Sequence, residues 1–239
     1  MTADETAPAP PDPTASYTVL RGGQHTAEVE IRKSRFLAVL TRVETEEQAR
    51  KAVTEVRDAH RDARHHCSAF VLGPSREVTR SSDDGEPSGT AGMPMLQALL
   101  QFATPTQRAA ERPGDLSDVC AVVVRWFGGV KLGAGGLVRA YSGVVADALD
   151  SAPLTRRARC RPLTLTAPHA DAGRVEAEIR AQGFTVLPTE YDAAGALLRV
   201  LVPDLPAQLD AACHALAGIT SGTARVSTGD VSWHDVPQD

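Results

Sequence analysis

The densest group of chemically active side chains lies in the polar segment 82–92. It combines carboxylates and hydroxyls within eight positions, contributed by Asp83, Asp84, Glu86, Ser88 and Thr90. Such a set can bind a hard cation or support phosphate chemistry, because these cations prefer oxygen ligands. The same residue types also form polar turns in which side chains accept hydrogen bonds from backbone amides and cap a following helix. On spacing alone both interpretations stay open.

A second candidate site is the glycine-rich segment 128–136, which precedes a predicted helix. Free backbone N–H groups and the positive end of the helix dipole would stand beside Lys131, with Arg139 in the first turn and Arg125 just before the glycines. This pattern predicts an anion site. It matches neither GxxxxGK[ST] nor GxGxxG, so it indicates no nucleotide class. Alternatively, the glycines permit close packing of strand against helix, and Tyr141 belongs to the core.

Three further candidates come from shorter patterns. His65 and Cys67 alternate along a predicted strand and therefore share a face. A Cys/His pair can act as nucleophile and base, but a cysteine among apolar strand residues is more typical of core packing. We therefore predict that His65 is a binding residue and that no residue is catalytic. Lys33 and Arg35, at the corner between two strands, are predicted to bind the same anionic ligand.

The elements that must position these residues follow from hydrophobic periodicity. The first domain has five predicted strands, at residues 25–31, 35–43, 66–72, 77–81 and 119–124. The last is a continuous apolar run, which indicates a central strand buried on both faces. Thr45 opens a helix with a capping-box pattern, and two more helices follow the two candidate sites. Residues 103–117 are predicted to be an exposed loop.

From residue 157 the pattern becomes strand, helix, two strands, helix, strand, at residues 159–166, 171–182, 184–191, 196–202, 205–217 and 223–233. This βαββαβ order is that of ferredoxin-like domains. The sequence therefore predicts an α+β protein, with a first domain at 16–152 and a ferredoxin-like second domain at 157–235. Residues 1–15 are rich in Pro and Ala, and we expect a disordered tail there.

Composition limits the classes of function. Residues 16–152 carry 17 basic and 17 acidic side chains, and residues 153–239 carry 8 and 10, so neither domain is basic and any nucleic-acid binding must use a local patch. Four scattered cysteines suggest neither a disulfide framework nor a zinc site. Without an apolar run near 20 residues or a signal-like N-terminus, the sequence predicts a cytoplasmic protein with no membrane partner.

Two blocks of the sequence closely resemble the YigZ/IMPACT family. They are RSSDDGEPSGTAG at 80–92 and the pair RWFGGVKLG and GGLVRAY within 125–141; KSRF at 33–36 and HHCSAF at 65–70 fit the same pattern. The resemblance runs through residues 17–152, and the second domain resembles the bacterial YigZ C-terminal module. The chain departs from the family in Trp126, where Tyr is usual, in His66, where Asn is common, and in a longer 101–117 segment.

The resemblance implies a ribosomal-protein-type first domain, of the fold shared with small-molecule kinases of the GHMP superfamily. It also implies a second domain similar to the last domain of the translocation factor EF-G. Both comparisons point toward translation. Eukaryotic IMPACT members restrain a starvation-sensing translation kinase, whereas bacterial relatives have no settled activity, so the family name supplies no reaction.

We therefore expect a non-catalytic, translation-associated protein that needs no cofactor and binds RNA, the ribosome or a translation factor. The basic candidates would contact phosphates or acidic side chains, while Asp83, Asp84 and Glu86 hold those cations in position. The alternative is a Mg²⁺-dependent phosphotransferase or phosphohydrolase, with the carboxylates on the metal and the glycine segment on the phosphate. A protein-binding regulator without nucleic-acid contacts is the third class. HExxH and GxSxG are both absent from the sequence, so nothing indicates a peptidase.

Overall fold

The computed structural model describes residues 15–236, and its chain divides into two compact units: residues 17–156 form the first, and residues 157–236 form the second together with Ala15 and Ser16, the residue at which the first strand begins. The first unit contains β1 (Ser16–Leu20), β2 (Gln24–Ile31), β3 (Ser34–Arg42), α1 (Glu46–Ala59), β4 (His65–Leu72), β5 (Val78–Ser82), α2 (Gly92–Gln101), α3 (Pro105–Ala109), β6 (Val119–Trp126) and α4 (Ala134–Ser151). The predicted tail at 1–15 lies outside the described residues except for Ala15.

Five strands of the first unit form one antiparallel sheet in the order β2-β3-β6-β4-β5. The apolar run of β6 is the central strand, as predicted. Its alternate residues enter two cores: Ala121 and Val123 pack toward α2 and α4, whereas Val122 and Val124 pack toward α1. Each fully buried valine stabilises the fold by about 1.5–3 kcal/mol. The strand is therefore held firmly between the two cores, and so are the candidate residues at its end.

Helix α1 begins as predicted at Thr45, whose hydroxyl accepts a hydrogen bond from the Gln48 amide at 3.2 Å. The prediction that residues 103–117 are an exposed loop is wrong in two respects. The short helix α3 lies there, closed by a reciprocal capping box between Thr104 and Gln107. Leu116 is fully buried in the core. The apolar periodicity was too short to reveal a single helical turn, although the Thr-x-x-Gln pattern was present.

The chain enters the second unit within β7 (Leu154–Ala167), which is followed by α5 (Ala172–Ala181), β8 (Thr185–Val186), β9 (Glu190–Asp192), β10 (Gly195–Pro203), α6 (Pro206–Ile219), β11 (Val226–Thr228) and β12 (Ser232–Val236). Strand β10 pairs antiparallel with β7 on one side and with β8 and β9 on the other, and β11 and β12 pair with β7. Two predicted strands are each divided in two, at Pro188, which has no N–H, and at Gly229.

Apolar side chains of β7, β10, α5 and α6 form the core of the second unit. The predicted α+β class is confirmed, since the protein has two domains and its two sheets are antiparallel. Within residues 15–236, no helix is both long and apolar enough to span a lipid bilayer.

Candidate functional site

Asp83 holds the acidic segment together through hydrogen bonds to backbone amides of the same segment. Its carboxylate accepts backbone N–H hydrogen bonds from Gly89 at 2.7 Å, Ala91 at 3.0 Å and Gly92 at 2.8 Å. Burial by itself raises the pKa of this carboxyl, but the three hydrogen bonds together hold the pKa below its usual range. Asp83 therefore closes the loop and binds the first amides of α2, which is the turn-forming role left open by the sequence.

Asp84 ties the same loop to two neighbouring elements. Its carboxylate accepts a hydrogen bond from the His66 amide at 2.7 Å, on β4, and pairs with the Arg57 guanidinium at 2.8 Å, on α1. Nearby, the Thr90 hydroxyl donates to the carbonyl of Pro87 at 2.6 Å. The Asp84 carboxylate and the Thr90 hydroxyl thus both have hydrogen-bond partners within the fold.

Glu86 is the third carboxylate, and it is buried. One oxygen accepts hydrogen bonds from the Arg125 guanidinium at 2.5 Å and from the Tyr141 hydroxyl at 2.8 Å. An isolated buried carboxylate would be strongly destabilising, so the ion pair with Arg125 offsets the cost of burying Glu86. Burial, with the neighbouring Cys67 and Glu86, raises the pKa of Tyr141 far above its ordinary value, and the hydroxyl remains a donor.

Cys67 lies behind this pair and does not have the environment of a nucleophile. Its thiol donates to the carbonyl of Asp83 at 2.9 Å and lies 3.4 Å from the Tyr141 hydroxyl. Burial raises the pKa of the thiol to about 12, so the thiolate is scarce at neutral pH. The geometry favours the core-packing interpretation of this cysteine.

The three carboxylates do not converge on a common point. Each has partners from its own chain, and across residues 15–236 no group of three His, Cys, Asp or Glu side chains is arranged to hold a metal ion. Loop closure and ion pairing therefore account for the concentration of acids that suggested a cation site.

The glycine segment brings the start of α4 against the β2–β3 hairpin. A Cβ atom on Gly128 would lie only 1.9 Å from the carbonyl oxygen of Lys33, so this close approach requires glycine. The hairpin turn itself is made by Arg32 and Lys33 with positive φ angles of 48° and 64°, a conformation that normally selects Asn or Gly. Two exposed cations thus occupy a strained turn beside the glycine segment.

A cavity of about 420 Å³ lies where the acidic segment, the end of β6 and the start of α4 meet. We call it the α4 pocket, and its polar and aromatic lining consists of Arg64, His65, Glu86, Arg125, Phe127 and Lys131. Gly133, the N-cap of α4, and Ala134, its first residue, complete the wall. The two candidate sites of the sequence are therefore neighbours and share one cavity.

The electrostatics of the α4 pocket are those of an anion site. Three permanent cations face a single carboxylate, Glu86, which is already paired with Arg125. His65 is held by a 2.9 Å contact between Nδ1 and the carbonyl oxygen of Asp84. Because a carbonyl oxygen only accepts, Nδ1 donates its hydrogen in this contact, and Nε2 lies 4.0 Å from the Glu86 carboxylate.

The other predicted site residues lie outside the pocket lining. Ser88 and Arg139 are exposed, and Arg139 lies in the second turn of α4, where the sequence predicted the first. Lys33 is exposed at the hairpin turn. Arg35 covers the ring of Trp126 at 3.7 Å from its centroid, so part of its guanidinium is used within the protein.

Two of the polar and aromatic residues that line the pocket, Arg64 and Phe127, were not among the predicted site residues. Phe127 is 51% exposed, although it is a large aromatic residue directly after a buried strand. Arg64 precedes His65 on the rim. The signal for Phe127 was present in the sequence, because residues 125 and 127 of an extended chain share a face. A wider groove of about 670 Å³ between α2 and α4 contains none of the predicted residues.

These features define a two-domain α+β protein with antiparallel sheets and a cation-lined pocket in its first domain. The family description "Impact N-terminal domain" matches residues 32–149, and "Domain of unknown function (DUF1949)" matches residues 165–223. The chain belongs to the IMPACT family and is a YigZ-type member with these two domains.

Relatives of known sequence cover most of the chain. The IMPACT family member YvyE of Bacillus subtilis is 39% identical over 73% of this chain and 74% of its own length. The IMPACT family member YigZ of Escherichia coli is 38% identical over 73% of this chain and 80% of its own. A solved structure described as "an hypothetical protein" is 34% identical, with a TM-score of 0.53, and the match covers 89% of this chain and 96% of the other.

Proposed function

We propose that this chain is a non-catalytic RNA-binding protein of the translation apparatus, and that it binds RNA at the α4 pocket. The observation that carries the proposal is the division of charge at this site. The carboxylates are paired in contacts within the protein, whereas Arg64, just before β4, and Lys131, just before α4, are exposed and line the pocket. Positive charge and helix amides together bind phosphate.

An aromatic ring at the rim favours RNA over an acidic protein partner. Phe127 presents half of its surface to solvent beside the Arg125 guanidinium, which lies 5.5 Å from the ring centroid. A base stacked on an aromatic side chain contributes about 1–3 kcal/mol, and such stacking beside a cationic groove is typical of single-stranded RNA binding. Since the domain has no net charge, we expect modest affinity that falls steeply with salt.

The fold proposed for each domain also supports a translation-associated role. The strand order β11-β7-β10-β8, with α5 and α6 as the two connecting helices, supports a ferredoxin-like second domain such as the EF-G comparison implies. We also propose a ribosomal-protein-type first domain and a cytoplasmic location. No contact of the three carboxylates favours the Mg²⁺-dependent phosphotransferase or phosphohydrolase.

The test is co-sedimentation of the full chain with ribosomes and with structured RNA at low and moderate salt. Wild type is compared with Arg64→Ala/Lys131→Ala, which removes two exposed cations from the pocket lining. The matched control is Arg50→Ala/Lys51→Ala, which removes two exposed cations from α1 on the other face of the sheet. We expect salt-sensitive binding by wild type and by the control. The pocket variant should show a salt slope shallower by about 0.7–0.9 for each phosphate contact that is lost.

Failure of wild type to bind ribosomes or RNA at either salt would contradict the proposal. Binding that survives nuclease treatment would instead indicate a protein partner, such as a translation factor. Equal loss of binding in the pocket variant and the control would show that general charge, and not this site, is responsible.

A further inference from the structure

We infer that the α4 pocket recognises the phosphomonoester of a nucleotide, presented either by a free nucleotide or by the phosphorylated end of an RNA chain. This inference rests on the proposed function and names the chemical group that the same site takes. It distinguishes this pocket from an open groove, which would contact the phosphodiester backbone at any point along an RNA.

The charge balance of the pocket fits a dianion. Arg64, Arg125 and Lys131 oppose the single carboxylate of Glu86, which leaves a surplus of two positive charges. The positive end of the α4 dipole adds about half a charge. At pH 7 a phosphomonoester carries about −1.5 to −2, whereas each internal phosphodiester carries one negative charge. A terminal phosphate neutralises the site more completely than an internal one.

The hydrogen-bond inventory also lacks an acceptor at this place. Arg125 is only 5% exposed, and its Nε has no hydrogen-bond partner among residues 15–236, although the guanidinium lines the pocket. Its other nitrogens reach Glu86 and Ser34. A buried arginine N–H without a partner is destabilising, and an anion in the pocket would add a counter-charge beside this guanidinium.

The start of α4 presents further donors. Its N-cap is Gly133, which has no side chain with which to cap the helix, and the first turn contains no acidic residue. The first N–H groups of an α-helix have no acceptor within the helix. Gly133 and Ala134 line the pocket together with Lys131, so the start of the helix and a cation are both beside the space that an oxygen-rich group would occupy.

The remaining walls suit a nucleoside. Pro87, Leu132 and Leu137 line the same cavity as Phe127, whose ring is half exposed. A volume of about 420 Å³ is far larger than a single phosphate needs and lies in the range of small-ligand sites. The polar end for the phosphate and the apolar walls for the base thus occur in one cavity.

The experiment measures binding of the full chain to one short single-stranded RNA with a 5′-phosphate, with a 3′-phosphate or with hydroxyl ends. Adenosine monophosphate and adenosine serve as competitors. The variants are Lys131→Ala and Arg64→Ala, both exposed positions, and the control is Lys51→Ala on α1. We expect wild type and control to prefer one phosphate-ended RNA by about tenfold, because charge-assisted hydrogen bonds are the strong ones. Both pocket variants should lose that preference.

Each outcome distinguishes the inference from the proposed function. Equal affinity of wild type for all three RNA ends, with binding still lost in Lys131→Ala, would overturn the inference and leave RNA binding intact. Binding of adenosine monophosphate without any RNA binding would support the inference with a free nucleotide as the source and overturn the proposed function. Competition by the monophosphate but not by adenosine against end-phosphorylated RNA would support both.

Discussion

The most informative perturbation of the fold is neutralisation of Glu86, because it tests whether the buried pair with Arg125 is what holds the α4 pocket together. Replacement Glu86→Gln keeps the size of the side chain and an oxygen for the Tyr141 hydroxyl, but it leaves the guanidinium buried without a counter-charge. The side chains of the pair are only 4% and 6% exposed. Uncompensated charges at such depth destabilise proteins by about 3–5 kcal/mol.

Matched variants separate the free-energy cost of an unpaired buried charge from the cost of losing one hydrogen bond. Tyr141→Phe removes one hydrogen bond to the carboxylate and should lower the free energy of unfolding by about 1.5–3 kcal/mol. The double variant Glu86→Gln/Arg125→Met removes both charges, so its loss should be smaller than the sum of the two single losses by at least about 2 kcal/mol.

Urea unfolding followed by the fluorescence of Trp126, in a Trp233→Phe background, reports the first domain alone, because each domain has one tryptophan. A Glu86→Gln protein within about 1 kcal/mol of its parent would refute the reasoning. Strict additivity of the Glu86 and Arg125 replacements would refute it as well.

Three further changes test the loop, the close approach and the cysteine. The pKa of Asp83 is lowered in the folded protein, so the ionised carboxylate stabilises the fold fully above about pH 4, and this stabilisation is lost as the pH falls. Asp83→Asn should therefore have a lower free energy of unfolding than wild type at pH 7. Urea unfolding should show that this difference shrinks below about pH 4. Gly128→Ala should lower stability by about 1–3 kcal/mol, because its Cβ meets the Lys33 carbonyl, whereas Gly143→Ala, with open space around it, should not. Cys67 should stay unlabelled by a thiol reagent at pH 8 in the folded protein, since burial raises its pKa to about 12, and labelling within minutes would contradict this.

The elements around the pocket were predictable because their signals are local. A continuous apolar run identified β6 as a buried strand, and periodic apolar residues after the glycine segment identified α4. The capping pattern at Thr45 fixed the start of α1 within one residue. In each case the signal lies within one element, so a short stretch of sequence was enough to predict that element.

The roles of the acidic residues were not predictable from spacing, because their partners are distant in the sequence. Glu86 meets a guanidinium 39 positions away and a hydroxyl 55 positions away. Asp83, by contrast, closes hydrogen bonds within nine positions, and the turn interpretation of the segment anticipated such contacts. Only the folded sheet shows which carboxylates are used internally and which cations remain for a ligand.

The measurement that tests the central claim most directly is ultraviolet cross-linking of the full chain to a short single-stranded RNA, with the cross-linked residues mapped by mass spectrometry. The α4 pocket predicts cross-links at Phe127 and at the neighbouring residues of the glycine segment. They should be lost in Lys131→Ala and retained in Lys51→Ala. Cross-links confined to the second domain, or none at Phe127 while RNA is bound, would contradict the account.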